Sequence, residues 1–172
     1  MKKAYTCLLI GCLFIWLDLS IMGINVLPDF VGYILIVIGV YFGEKHQRIQ
    51  EFIQAKYLGI ALSIYCLIYP LFQQFSGIEV WWPLVALTLT ANLATIYLFY
   101  SLLKAEYLWH PQTRTRQFIN NYLTLAITHF ISTCLTFFIP VSAILAVALE
   151  VIQAIYLIYI FYTLREQQTE TD

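Results

Sequence analysis

Apolar runs of membrane-crossing length alternate with short polar gaps along this chain, and that alternation predicts its class. A helix rising about 1.5 Å per residue needs roughly 20 apolar residues to cross a hydrocarbon layer about 30 Å thick. The pattern predicts six such helices: Ala4 to Met22, Val26 to Gly43, Tyr57 to Phe75, Trp82 to Leu103, Phe118 to Ile139 and Val141 to Leu164. They form three hairpins in a single transmembrane domain over residues 1–172, an all-α polytopic bundle. The second run is the shortest, yet its start is well marked. Gly23 and Asn25 break the preceding helix, Pro28 suits a first helical turn, and Asp29 suits the positive end of a helix. Between runs two and three, Ile49, Phe52, Ile53 and Tyr57 recur at helical spacing against Lys45, Arg48, Glu51 and Lys56. This predicts a short amphipathic connector lying in the interface.

Charge orients the hairpins. The nine cations, Lys2, Lys3, Lys45, Arg48, Lys56, Lys104, Arg114, Arg116 and Arg165, all fall in alternate gaps or at the two ends. Inner loops of membrane proteins collect Lys and Arg, so both termini are expected in the cytoplasm and the three gaps without a cation outside. Asp18, Asp29, Glu79 and Glu150 then lie in or beyond the membrane, away from every Lys and Arg. Trp81 and Trp82 outside, with Tyr107 and Trp109 inside, fit interfacial aromatic belts.

Composition supports the same class. The chain has 172 residues, 61% hydrophobic and 11% charged, with a mean hydropathy of +0.77, too apolar to enclose in a water-soluble core of this size. Lipid is the expected solvent. Nucleic acid is excluded as a partner, because the cations are accounted for by orientation and form no basic stripe. Cys7, Cys12, Cys66 and Cys134 sit within apolar runs, where thiols act as small hydrophobes, and no disulfide is expected. The sequence Leu9-Ile10-Gly11-Cys12 has the form of a lipoprotein box but follows Lys3 too soon, and no small-x-small cleavage site follows the run. An uncleaved first helix is expected.

Small residues mark packing faces. Gly39 and Gly43 form a G-x-x-x-G, Gly59 and Ser63 a related pair, and Ser142, Ala146 and Ala154 a stripe on the last helix. These are read as contacts within the chain rather than a dimer face. No repeat is legible at the residue level.

Helix counting brings the candidate chemistry together. His129 lies eleven residues before Pro140 and Glu150 ten after it, so the two share a depth near mid-bilayer, and Asn92 falls at the same level. Gln153 is one turn from Glu150, Thr88 and Thr95 flank Asn92, and Thr128 and Ser132 lie beside His129. Burial disfavours each ion while mutual contact favours the His129–Glu150 pair, which is what a proton relay requires. A second candidate is an outer carboxylate pair. Asp18 and Asp29 stand equally far from Gly23, and a shared proton, Na⁺, a divalent metal ion or water would relieve their repulsion, with Asn25 as a further oxygen ligand. No catalytic residue is assigned and no cofactor is called for: G-x-S-x-G, phosphate loop, H-E-x-x-H and C-x-x-C motifs are all missing. His46 and His110 read as solvated loop residues, and Tyr156, Tyr159 and Tyr162 as packing and interface residues.

The stretch Ile24-Asn25-Val26-Leu27-Pro28-Asp29-Phe30-Val31-Gly32-Tyr33-Ile34-Leu35-Ile36 resembles a segment of small uncharacterised multi-spanning membrane proteins of Gram-positive bacteria. The resemblance covers the first hairpin only and implies a bacterial plasma membrane. It implies no activity.

Two functions are expected from these residues. The first is a partner-binding or structural membrane subunit, paired with another membrane protein or a second copy. The alternative is a small transporter or channel component with a proton or cation relay through His129/Glu150 and Asp18/Asp29. A membrane enzyme acting on lipid ranks below both, because only the Asp pair stands where a head group could reach it.

Overall fold

A computed structural model describes residues 2–16, 20–21, 24–25, 29–46, 48–75, 81–111, 113–136, 139 and 142–170. It contains six helices, α1 Lys2–Trp16, α2 Asp29–His46, α3 Gln50–Phe75, α4 Trp81–Trp109, α5 Thr113–Thr136 and α6 Ser142–Glu170. A two-stranded antiparallel ribbon, β1 Ser20–Ile21 and β2 Ile24–Asn25, lies between α1 and α2. The all-α class expected from the sequence holds. Among the described residues, three helices, over Gln50–Pro70, Val85–Trp109 and Ser142–Gln167, are long and apolar enough to cross a membrane. The described part of α1 is too short for that, α2 carries Asp29, Glu44 and Lys45, and α5 is interrupted by Arg114, Arg116, Asn120, Asn121 and His129.

Several boundaries differ from the expected ones. Ser20 and Ile21 belong to a strand, not to a first helix reaching Met22, and β-branched Ile21 faces Ile24 across the ribbon. The expected interfacial connector is also not a separate element. Phe52 and Ile53 both donate backbone hydrogen bonds to the Ile49 carbonyl, and with no proline between there and Pro70, α3 runs through Tyr57 unbroken. Helix α4 extends six residues past Leu103, closing where the His110 amide reaches the Glu106 carbonyl and Pro111 follows.

Each helix packs against its neighbours in sequence, and α1 closes the ring against α6. Neighbours are antiparallel: Gly39 meets Ala4 while Gly32 meets Gly11, and His129 meets Gln153 while Arg114 meets Tyr159. The helix starts of α1, α3 and α5 therefore share one end of the bundle with the helix ends of α2, α4 and α6. All nine cations lie toward that end, hereafter the basic end. Lys56 pairs with Glu44 at 2.5 Å and Lys104 with Glu51 at 3.0 Å, tying α3 to α2 and α4 to α3 there. Glu106, three residues beyond the expected end of the fourth run at Leu103, is buried and accepts a short hydrogen bond from the Tyr5 hydroxyl of α1.

The centre of the ring is filled by side chains from α4. Phe99 is fully buried, with Trp16 of α1, Tyr122 of α5 and Phe161 of α6 around it at centroid distances of 5.2, 6.4 and 6.3 Å. The closest backbone approach is between α1 and α2. A Cβ on Gly11 would stand 2.8 Å from the Gly32 carbonyl oxygen, one on Gly32 equally close to that of Gly11, and one on Gly39 2.9 Å from that of Ala4. Gly43 faces Phe52 and Gly59 faces Val37, so the small-residue faces singled out on α2 and α3 serve contacts within the chain. Substituting Gly11 or Gly32 by Leu is expected to force the two helices apart at a cost of roughly 1–3 kcal/mol. Thermal melting of the detergent-solubilised protein checks this, with exposed Ile34→Leu unchanged as the control.

Candidate functional site

Four helices bring polar side chains to one depth. Helices α2, α4 and α6 run toward the basic end and α5 runs away from it. The Tyr33 hydroxyl of α2 lies 2.9 Å from Thr95 Oγ1 of α4. Because the Thr95 hydroxyl donates to the Ala91 carbonyl at 3.0 Å, Tyr33 is the donor in this bond. One turn back along each helix brings Asp29 level with Asn92. Across the ring, His129 of α5 stands 3.1 Å from Gln153 Oε1 of α6, with Glu150 one turn further from the basic end.

These residues surround a cavity of about 150 Å³. Asn92, His129, Glu150 and Gln153, the cluster expected from helix counting, all line it. Asp29, Tyr33, Thr95 and Thr133 complete the polar part of the wall, and Ile15, Trp16, Ile96 and Phe130 the apolar part. The cavity has room for several waters. It lies in the half of the bundle away from the cations: His129 is seven residues, or roughly 10 Å, inside the end of α5. No Lys or Arg lines it, while two carboxylates do.

The pairing within the cluster differs from the expected one. The hydrogen-bond partner of His129 is Gln153, not Glu150. One helical turn separates the two positions on α6, and Gln153 is the buried one, whereas Glu150 is exposed. The amide oxygen can only accept, so His129 Nδ1 carries the proton in this bond. Gln153 Nε2 in turn donates to the Tyr122 hydroxyl at 3.5 Å, and Tyr122 donates to the Ile96 carbonyl at 3.3 Å. A directed chain of hydrogen bonds thus runs from α5 to α6, back to α5 and on to α4.

The outer carboxylate pair is described only in part. Asp18 lies outside the described residues, and Asn25 is described by its backbone alone, paired with Ser20 in the ribbon. Asp29 opens α2, as its place at a positive helix end requires, and it lines the same cavity as His129 and Glu150. Thr88 is engaged elsewhere, 3.2 Å from the Tyr69 hydroxyl, and Thr128 bonds back to the Thr124 carbonyl. Tyr122 and Thr133 had no signal beyond apolar surroundings. Tyr33 was marked only by the resemblance of its segment. Among the described residues, no group of three or more His, Cys, Asp or Glu is placed to hold a metal ion.

Neither a family model, nor a curated protein, nor a solved structure matches this chain. The site must be read from its own geometry.

The directed chain gives a test of its own. In the wild type, ¹⁵N spectra are expected to show neutral His129 as the single Nδ1–H tautomer. Gln153→Leu is expected to give a mixture of tautomers and to lower stability by roughly 1–3 kcal/mol through the unpaired groups it leaves.

Proposed function

We propose that this chain is a six-span membrane protein with both termini in the cytoplasm, which admits a small cation, in the first instance a proton, from the outer side into the polar cavity. The observation that carries the reading is the gathering of Asp29, Glu150 and the imidazole of His129 around one cavity with no Lys or Arg on its wall. A net negative site inside an apolar bundle attracts cations and excludes anions. Imidazole and carboxylate are also the groups that exchange protons near neutral pH. The cations gathered at one end of the bundle support an inward-facing basic end. Of the polar interruptions on α5, His129 lines the cavity inside the bundle, which supports counting this helix as a span. The resemblance of the first hairpin supports a bacterial plasma membrane.

A second reading rests on the His129–Gln153–Tyr122 chain. Such a chain joins α4, α5 and α6 in the manner of interhelical hydrogen bonds that hold membrane bundles together, and it suits a structural or partner-binding subunit. The two readings differ over Glu150, which the chain does not use.

Proteoliposomes loaded with a pH-sensitive dye separate them. Under an imposed potential the wild type is expected to pass protons, and Glu150→Gln and Asp29→Asn to reduce the rate at least about tenfold while melting as the wild type does. Absence of flux in wild type and variants alike would discard the cation reading and leave the structural one. The orientation is checked by impermeant labelling of a cysteine placed at Arg116 in intact cells. Protection until the membrane is permeabilised is the expected result, and labelling from outside would invert the topology.

A further inference from the structure

Asp29 faces a second cavity as well. This one, of about 420 Å³, lies between α2 and α3, and its wall consists of Asp29, Phe30, Tyr65, Cys66, Tyr69 and Pro70, with Leu67 beside them. The rings of Tyr65 and Tyr69 stand one turn apart on α3, 5.1 Å between centroids and tilted by 38°. Tyr69 is held by its hydroxyl against Thr88 of α4 at 3.2 Å. Pro70, inside the helix, has no N–H to give, so the Cys66 carbonyl loses its usual helical donor at this wall. A carboxylate and three aromatic rings therefore line one space. No Lys or Arg is among its lining residues.

We infer that this second cavity is a binding site for a small organic ammonium ion. An alkylated ammonium group is attracted by the faces of aromatic rings and by a carboxylate, while its carbon groups fill apolar volume that a bare metal ion leaves empty. A hydrated inorganic cation would lose more water than one carboxylate replaces. The ligand is water-borne rather than a lipid head group, because the site adjoins, through Asp29, a polar cavity that acyl chains cannot share. The inference stands whether or not the polar cavity passes protons, since it concerns equilibrium occupancy of a separate space.

Choline and its neutral carbon isostere, 3,3-dimethylbutan-1-ol, provide the test. The full-length protein in phosphatidylglycerol nanodiscs, with empty nanodiscs subtracted, is titrated with each by saturation-transfer NMR and calorimetry. Choline is expected to bind at least about tenfold more tightly than the isostere. Asp29→Asn is expected to weaken choline about tenfold or more, Tyr65→Leu several-fold, and Tyr65→Phe, which keeps the ring, little. Equal binding of choline and the isostere to the wild type would overturn the inference, and that comparison needs no variant to fold. Choline affinity unchanged in both Asp29→Asn and Tyr65→Leu would overturn it too. So would stabilisation by phosphatidylethanolamine with no response to choline, which would assign the space to a lipid head group.

Discussion

A ring of six helices leaves an axis that must be filled, and Phe99 fills it on one side only. Its ring sits among Trp16, Tyr122 and Phe161, with Leu98, Leu102 and Leu103 on the same helix fully or almost fully buried. Toward the basic end the axis is therefore solid. One to two turns the other way, α4 presents Thr95 and Asn92 instead of large hydrophobes, and α5 presents His129 and Thr133. Smaller, polar side chains at the same radius cannot close the ring, and the cavity is the space they leave. The packing of one half and the polarity of the other are two consequences of one geometric demand.

That polarity has a cost which the hydrogen bonds offset unevenly. Tyr33, Thr95, His129, Gln153 and Tyr122 each find a partner within the bundle. In apolar surroundings an unpaired polar group costs several kcal/mol, so these bonds are a condition of having such residues there. Glu150 stands outside this scheme: it is exposed, lines the cavity and takes no part in the chain that ends on Ile96. A carboxylate that contributes little to holding helices together is better explained by what it contacts than by what it supports.

Much of this arrangement was legible in the sequence, because depth in a helix is a matter of counting. Counting from Pro140 placed His129 and Glu150 level, and counting along α4 added Asn92; all three line one cavity with Gln153. Depth does not fix azimuth, so counting could not decide that Gln153, one turn on, rather than Glu150 would meet His129. Counting from Gly23 placed Asp29 level with Asp18, which lies outside the described residues, but it did not anticipate that Asp29, where α2 begins, would line the cavity of His129 and Glu150. Glu106 falls beyond the expected end of the fourth run at Leu103 but within α4. Its spacing from Phe99, Leu102 and Leu103 continues the buried face of α4, and that periodicity was the usable signal.

The solid half also constrains how the hollow half can work. Following the register of α4, α5 and α6 toward the basic end, the layer after Thr95, His129 and Gln153 is Phe99, Ala126 and Leu157, all fully buried, with Tyr122 one turn further along α5. The polar groups that reach this layer are the Tyr122 hydroxyl and the Ile96 carbonyl, already bonded to each other at 3.3 Å. An open pore would need a continuous file of water or exchangeable protons, and this layer supplies neither. Among the described residues, the cavity is thus closed toward the basic end. Passage to the basic end requires Phe99 or Tyr122 to leave its place, which would break the contacts that α1, α5 and α6 all share with Phe99. If the cavity passes a cation as proposed, a gate built from this packing core would be slow to open and shut by default, as in a carrier or an occluded binding site rather than a channel.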